Sequence, residues 1–104
     1  MGRYFLVENA VGPEWDYSRG RREQVGWDEH AAFMDALVEE GFILLGGPTG
    51  EGESDNTVVI VEAEDEAEVR QRFAPDPWAD TILVIDQIRP WKVWLSREPD
   101  LVRR

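Results

Sequence analysis

Apolar positions in this chain fall into short blocks punctuated by glycine, proline and acidic residues, and the spacing inside each block predicts an element. Arg3 to Glu8 is β-prone and closes at Asn9 and the Gly12-Pro13 turn signal, so it reads as a first strand. Residues 10–22 read as a long polar loop carrying Arg19, Arg21 and Arg22. A helix begins between Arg21 and Trp27 and runs to Glu40. Trp27, Ala31, Met34, Leu37 and Val38 recur on one face at helical spacing, while Asp28, Glu29, Asp35, Glu39 and Glu40 lie off it. Gly41 stands where a left-handed C-cap is wanted. Phe42 to Leu45 and Thr57 to Val61 predict a hairpin with a polar, Gly-rich tip at 49–56, its first arm broken by Gly46-Gly47-Pro48. Acids crowd positions 62–68, at the start of a short second helix over 65–73, where the helix dipole favours them. Pro75-Asp76-Pro77-Trp78 is a rigid connector and Thr81 to Ile88 a fourth strand. Trp91 to Leu95, beyond Pro90, reads as a fifth, edge strand. Residues 1–95 are expected to form one domain and 96–104 a loose tail.

The order strand, helix, strand, strand, helix, strand predicts a ferredoxin-like α+β fold, an antiparallel sheet with both helices on one face. Phe42 to Leu45, Val58 to Val61 and Ile82 to Ile85 are apolar on both strand faces, without alternation. Two helices cover only one face. A second copy packed sheet against sheet is the expected cover for the other, giving a homodimer.

Composition narrows the function classes. With 11 Lys+Arg against 22 Asp+Glu among 104 residues the net charge is -11, which repels phosphate backbones and anionic lipid, so neither nucleic acid nor membrane is an expected partner. No Cys excludes disulfides, thiolate nucleophiles and iron–sulfur clusters. One His and no Cys give no transition-metal donor set, and the acidic run at 62–68 lacks the ligand spacing of a calcium loop. Neither a metal nor an organic cofactor is expected. No apolar run approaches the roughly 20 residues that span a bilayer. Met1 to Val7 lacks the apolar stretch and cleavage site of a secretory leader, so a cytoplasmic location is the expectation.

Chemistry concentrates on few side chains. His30, the single imidazole, projects from the apolar face of the first helix between Trp27, Met34 and Leu37, toward the sheet. A buried imidazole is either a satisfied core residue or a general acid–base group at the floor of a pocket. Asp76 sits between Pro75 and Pro77 with little conformational freedom. It can orient an imidazole, or it can cap a short turn that opens at Pro77. Gly46-Gly47-Pro48 either lets a ligand approach the backbone or is a plain strand exit. Arg19, Arg21 and Arg22 can hold an anion at a pocket mouth or offset nearby acids in solvent. Trp78, two residues past Asp76, can line a pocket; the tryptophans otherwise fill core and dimer contacts.

Tyr4-Phe5-Leu6-Val7, His30 on the first helix, Leu44-Leu45-Gly46-Gly47-Pro48, Asp76-Pro77-Trp78 and the closing Ile88-Arg89-Pro90 together resemble the YCII-related (YciI-like) family over residues 3–90. The loop Gly12 to Ser18 is an insertion relative to its shortest members. The resemblance implies a dimeric α+β barrel and a His–Asp pair falling on His30 and Asp76. It also implies kinship with a dehydrochlorinase of chlorinated hydroxyhydroquinones and, within the wider fold, with muconolactone isomerases and small monooxygenases. One expectation is therefore a cofactor-independent enzyme moving a proton on a small polar or aromatic metabolite, in isomerisation or elimination. In it Tyr4, Gly47, Pro48, Trp78 and Arg19 bind substrate. The alternative is a non-catalytic dimeric module that binds a small molecule or serves a partner protein.

Overall fold

The computed structural model describes residues 2–103; Met1 and Arg104, at the ends of the two expected segments, lie outside the described residues. The elements are β1 (Arg3–Val11), α1 (Trp27–Glu39), β2 (Ile43–Pro48), β3 (Thr57–Ala63), α2 (Glu66–Phe73) and β4 (Leu83–Pro90), with single helical turns at Arg21–Glu23 and Pro99–Leu101. The four strands form one sheet in the order β2-β3-β1-β4. All three neighbouring pairs are antiparallel. Each helix thus joins two parallel strands with a third between them, the split β-α-β arrangement of a ferredoxin-like α+β fold.

Local chemistry sets the helix ends. Gly26 caps α1 with φ of 79°, a left-handed conformation that costs glycine nothing. Gly41, with φ of 83°, ends the same helix as its position predicts. At α2 the Asp65 carboxylate accepts the Glu68 N–H at 2.8 Å and the Glu68 carboxylate accepts the Glu64 N–H at 2.7 Å, so acids satisfy donors at both ends of the first turn.

The main core lies between the helices and one sheet face. Phe5 and Val7 of β1 and Val59 and Val61 of β3 pack with Leu37 of α1 and with Val69 and Phe73 of α2. Burying side chains of this size contributes about 1.5–3 kcal/mol each. A second cluster, Trp15, Trp78, Ile82 and Leu83, fixes the segment after β1 against the start of β4. That segment is more built than the polar loop expected at 10–22. β1 runs on to Val11, Trp15 is buried, and the buried Gln24 amide ties Asp16, Arg19 and Gly20 together through their backbones.

The fifth strand does not form. After Pro90 the Trp91 N–H still donates to the Tyr4 carbonyl at 2.9 Å, but residues 91–96 take no strand conformation. Proline offers no N–H to continue a ladder, and β1 is already paired on both sides. Aromatic and β-branched composition alone made Trp91 to Leu95 look like a strand. Arg103, in the stretch expected to be loose, donates its N–H to the Val93 carbonyl at 2.7 Å. Its guanidinium lies 4.9 Å from the centre of the Tyr4 ring and 3.8 Å from the Glu62 carboxylate. Tyr4 and Glu62 are register partners across β1 and β3, so the end of the described chain sits over that cross-strand pair.

Candidate functional site

Helical periodicity puts Trp27, His30, Ala31, Met34, Asp35 and Val38 along one stripe of α1. The stripe lines an open cavity of about 880 Å³ instead of packing flat on the sheet. This is why Val38, apolar and in phase with the core residues, remains exposed. The opposite walls come from Asn9 of β1, Gly47 and Pro48 of β2, Thr57 of β3 and Leu83 and Ile85 of β4.

His30 and Asp76 meet in this cavity, 46 positions apart in sequence. His30 Nδ1 lies 2.8 Å from Asp76 Oδ1 and 3.0 Å from Oδ2. The two side chains are only 9% and 10% exposed, so water competes weakly for the bond. A carboxylate only accepts, so the bonded Nδ1 carries the hydrogen, and in the neutral ring Nε2 keeps its lone pair. Nε2 makes no bond to any described residue.

Asp76 is itself immobilised. Its N–H donates to the Phe73 carbonyl at 3.0 Å and its Oδ1 accepts the Trp78 N–H at 2.9 Å. The two sequence readings of Asp76, turn cap and imidazole partner, are both realised by one carboxylate. Trp78 supplies the remaining support. Its ring stacks on His30 with centroids 4.1 Å apart and planes 7° from parallel. Its Nε1–H donates to the Val25 carbonyl at 2.7 Å, which anchors the indole to the residue before Gly26. A Cβ on Gly26 would stand 3.3 Å from that Nε1, so the glycine serves both the helix cap and this close approach.

The other expected binding residues divide. Gly47 and Pro48 line the cavity. At Gly47 an added Cβ would meet nothing within 4 Å, so the glycine leaves space; at Gly46 it would stand 2.9 Å from the Val58 carbonyl oxygen, so that glycine is required by the sheet. Trp78 is buried behind His30 and is not among the lining residues. Tyr4 is buried on the other face of the sheet, beneath Arg103, and does not reach the cavity. Arg19 is not there either. It is exposed, 3.5 Å from Asp16 and hydrogen-bonded to the Glu23 carbonyl. Asp16 is held below the usual carboxylate range by hydrogen bonds from the Ser18 hydroxyl and N–H, with Arg19 adding to the effect.

Arg21, not Arg19, is the arginine of the cluster that lines the cavity. Its Nη2 donates to the Glu53 and Asp55 carbonyls at 3.0 and 2.7 Å, pinning the β2–β3 tip. Burial draws its pKa down from the usual arginine value, opposed by the Glu53 and Asp55 carboxylates. Among the described residues no group of three or more His, Asp or Glu is placed to hold a metal ion, and no helix is long and apolar enough to cross a membrane.

The sheet and its two helices make this a ferredoxin-like α+β protein, with a His–Asp pair under its first helix. Within it, the model of the YCII-related domain matches residues 10–92, and the chain belongs to that family. No curated protein and no solved structure matches the chain.

Proposed function

We propose that this protein is a small enzyme that moves a proton on an aromatic or otherwise largely apolar metabolite, in isomerisation or elimination. His30 Nε2 takes the proton as general base and returns it as general acid. Asp76 holds the imidazole in the Nδ1–H tautomer and stabilises the imidazolium formed in between. The observation that carries this reading is the paired Nδ1 beside an unpaired Nε2 on a residue that lines the cavity. A purely structural histidine at 7% exposure would satisfy both nitrogens or seal the second away. Such proton transfer typically contributes about 10²–10⁴-fold to rate.

The test is turnover of a panel of small aromatic and lactone substrates by wild type and His30→Asn. Loss of turnover in a variant that still folds cooperatively supports the reading, and turnover that survives His30→Asn contradicts it. The homodimer belongs to the same proposal. Leu45 on the edge strand β2 is 61% exposed and Leu95 is 88% exposed, apolar surface that a second copy would cover. Sedimentation as a monomer at micromolar concentration would count against it.

A further inference from the structure

Three polar residues are buried among the described ones: Asn9, Gln24 and His30. Gln24 shows what a structural amide looks like in this fold. Its oxygen accepts the Asp16 N–H at 2.9 Å, and its nitrogen donates to the carbonyls of Asp16, Arg19 and Gly20 at 2.8, 3.2 and 3.3 Å. Asn9 is only 9% exposed, yet its side chain makes no hydrogen bond to any described residue. It lines the cavity that holds His30.

Its position is as telling as its isolation. Phe5 and Val7 precede it on the core-facing side of β1, and alternation calls for a third apolar residue at position 9. Instead an amide stands there, and the β1–β4 register shifts between Glu8 and Asn9, the kind of irregularity that re-aims a side chain beside a site. Asn9 stands on the sheet wall and His30 on the helix wall of the same cavity. The remaining walls are largely apolar, including Trp27, Met34, Val38 and Leu83.

The charged groups around the cavity argue against an anionic ligand. Arg21 is engaged by the carbonyls of Glu53 and Asp55, and Arg70 by Glu66 at 3.2 Å. Asp35 and Asp80 also line the cavity. The buried polar groups that remain for a ligand are one neutral amide and one imidazole nitrogen, with the half-buried Thr57 on the same wall.

We propose that Asn9 is a specificity-determining residue whose amide N–H binds the carbonyl oxygen of a neutral, largely apolar, enolisable substrate. This rests on the proton-transfer reading of His30 and names its substrate class. His30 Nε2 removes a proton from the carbon next to the carbonyl. The C–H pair becomes the carbon–carbon π bond of the enolate, and the carbonyl π pair moves onto oxygen, where the Asn9 N–H meets the new charge. The imidazolium, which lines the open cavity, exchanges its proton with water and returns one to carbon, and no other reactant is consumed.

The test compares β-tetralone with tetralin, the same bicycle without the carbonyl. Binding is followed by tryptophan fluorescence and by isotope-edited NMR of the Asn9 side-chain amide. In wild type, β-tetralone shifts the Asn9 amide resonances and tetralin does not. Asn9→Leu weakens β-tetralone about tenfold and leaves tetralin within about twofold. Unmoved amide resonances, or equal losses for both probes, overturn the assignment; the wild-type NMR reading stands even if Asn9→Leu folds poorly. Deuterium uptake at the α-carbons of β-tetralone in heavy water is read separately. Its absence in wild type overturns the proton-transfer reading, whereas loss of the discrimination between probes overturns the carbonyl assignment alone.

Discussion

Replacing Asp76 separates its two jobs and gives a graded prediction. Asp76→Ala removes the acceptor for the Trp78 N–H, a cap worth about 1 kcal/mol. It also leaves His30 Nδ1 buried without its partner, which costs about 1–3 kcal/mol. Together the loss is about 2–4 kcal/mol. At this chain length that lowers Tm by about 10 °C or more. Asp76→Asn keeps an oxygen where Oδ1 now serves both the Trp78 N–H and His30. It loses the charge and the second contact at 3.0 Å, where the new NH2 faces the Nδ1 hydrogen as a second donor, so its cost is about 1–2 kcal/mol, below that of Asp76→Ala. Urea unfolding of wild type, the two Asp76 variants, His30→Ala and the double variant His30→Ala/Asp76→Ala measures all of these. The double-mutant cycle should return a coupling of about 1 kcal/mol or more, since the side chains touch and are shielded from water. Equal losses for Asp76→Ala and Asp76→Asn, or a coupling indistinguishable from zero, would refute the argument.

Two further substitutions test the support of the site. Gly26→Ala puts a Cβ where φ is 79° and where Trp78 Nε1 is 3.3 Å away, and should destabilise by about 1–2 kcal/mol in the same unfolding assay. Gly46→Ala should cost about 1–3 kcal/mol because its Cβ would crowd the Val58 carbonyl. Gly47→Ala, facing open space, should stay within about 0.5 kcal/mol of wild type while narrowing the cavity, so that ligand affinity changes without stability.

The architecture was legible because its signals are local and redundant. Helical spacing located α1 and aimed His30 at the sheet, and glycine and proline marked the breaks. Asp76 was legible as a constrained carboxylate, but the residue it would meet was not, since nothing local links positions 30 and 76. Tyr4 was misplaced for a reason visible in the alternation itself: Phe5 and Val7 face the core, so Tyr4 must face the other way. Asn9 was read as the end of the first strand because asparagine favours turns and Gly12-Pro13 follows. Pairing with β3 and β4 overrides that preference and carries β1 on to Val11. Three neighbouring arginines could not be ranked from sequence, because the turn at Arg21–Glu23 decides which one faces the cavity. The fifth strand failed since strand composition does not supply a sheet partner.

The central claim is a statement about one proton, and isotope-edited NMR of the single imidazole reads it directly. In its neutral form the ring should show hydrogen on Nδ1 and a bare Nε2, and Asp76→Ala should release that preference toward the Nε2–H form usual for a free imidazole. A wild-type ring already protonated on Nε2 and bare on Nδ1 would contradict the account, because the nitrogen facing the cavity would then have no lone pair with which to take a proton.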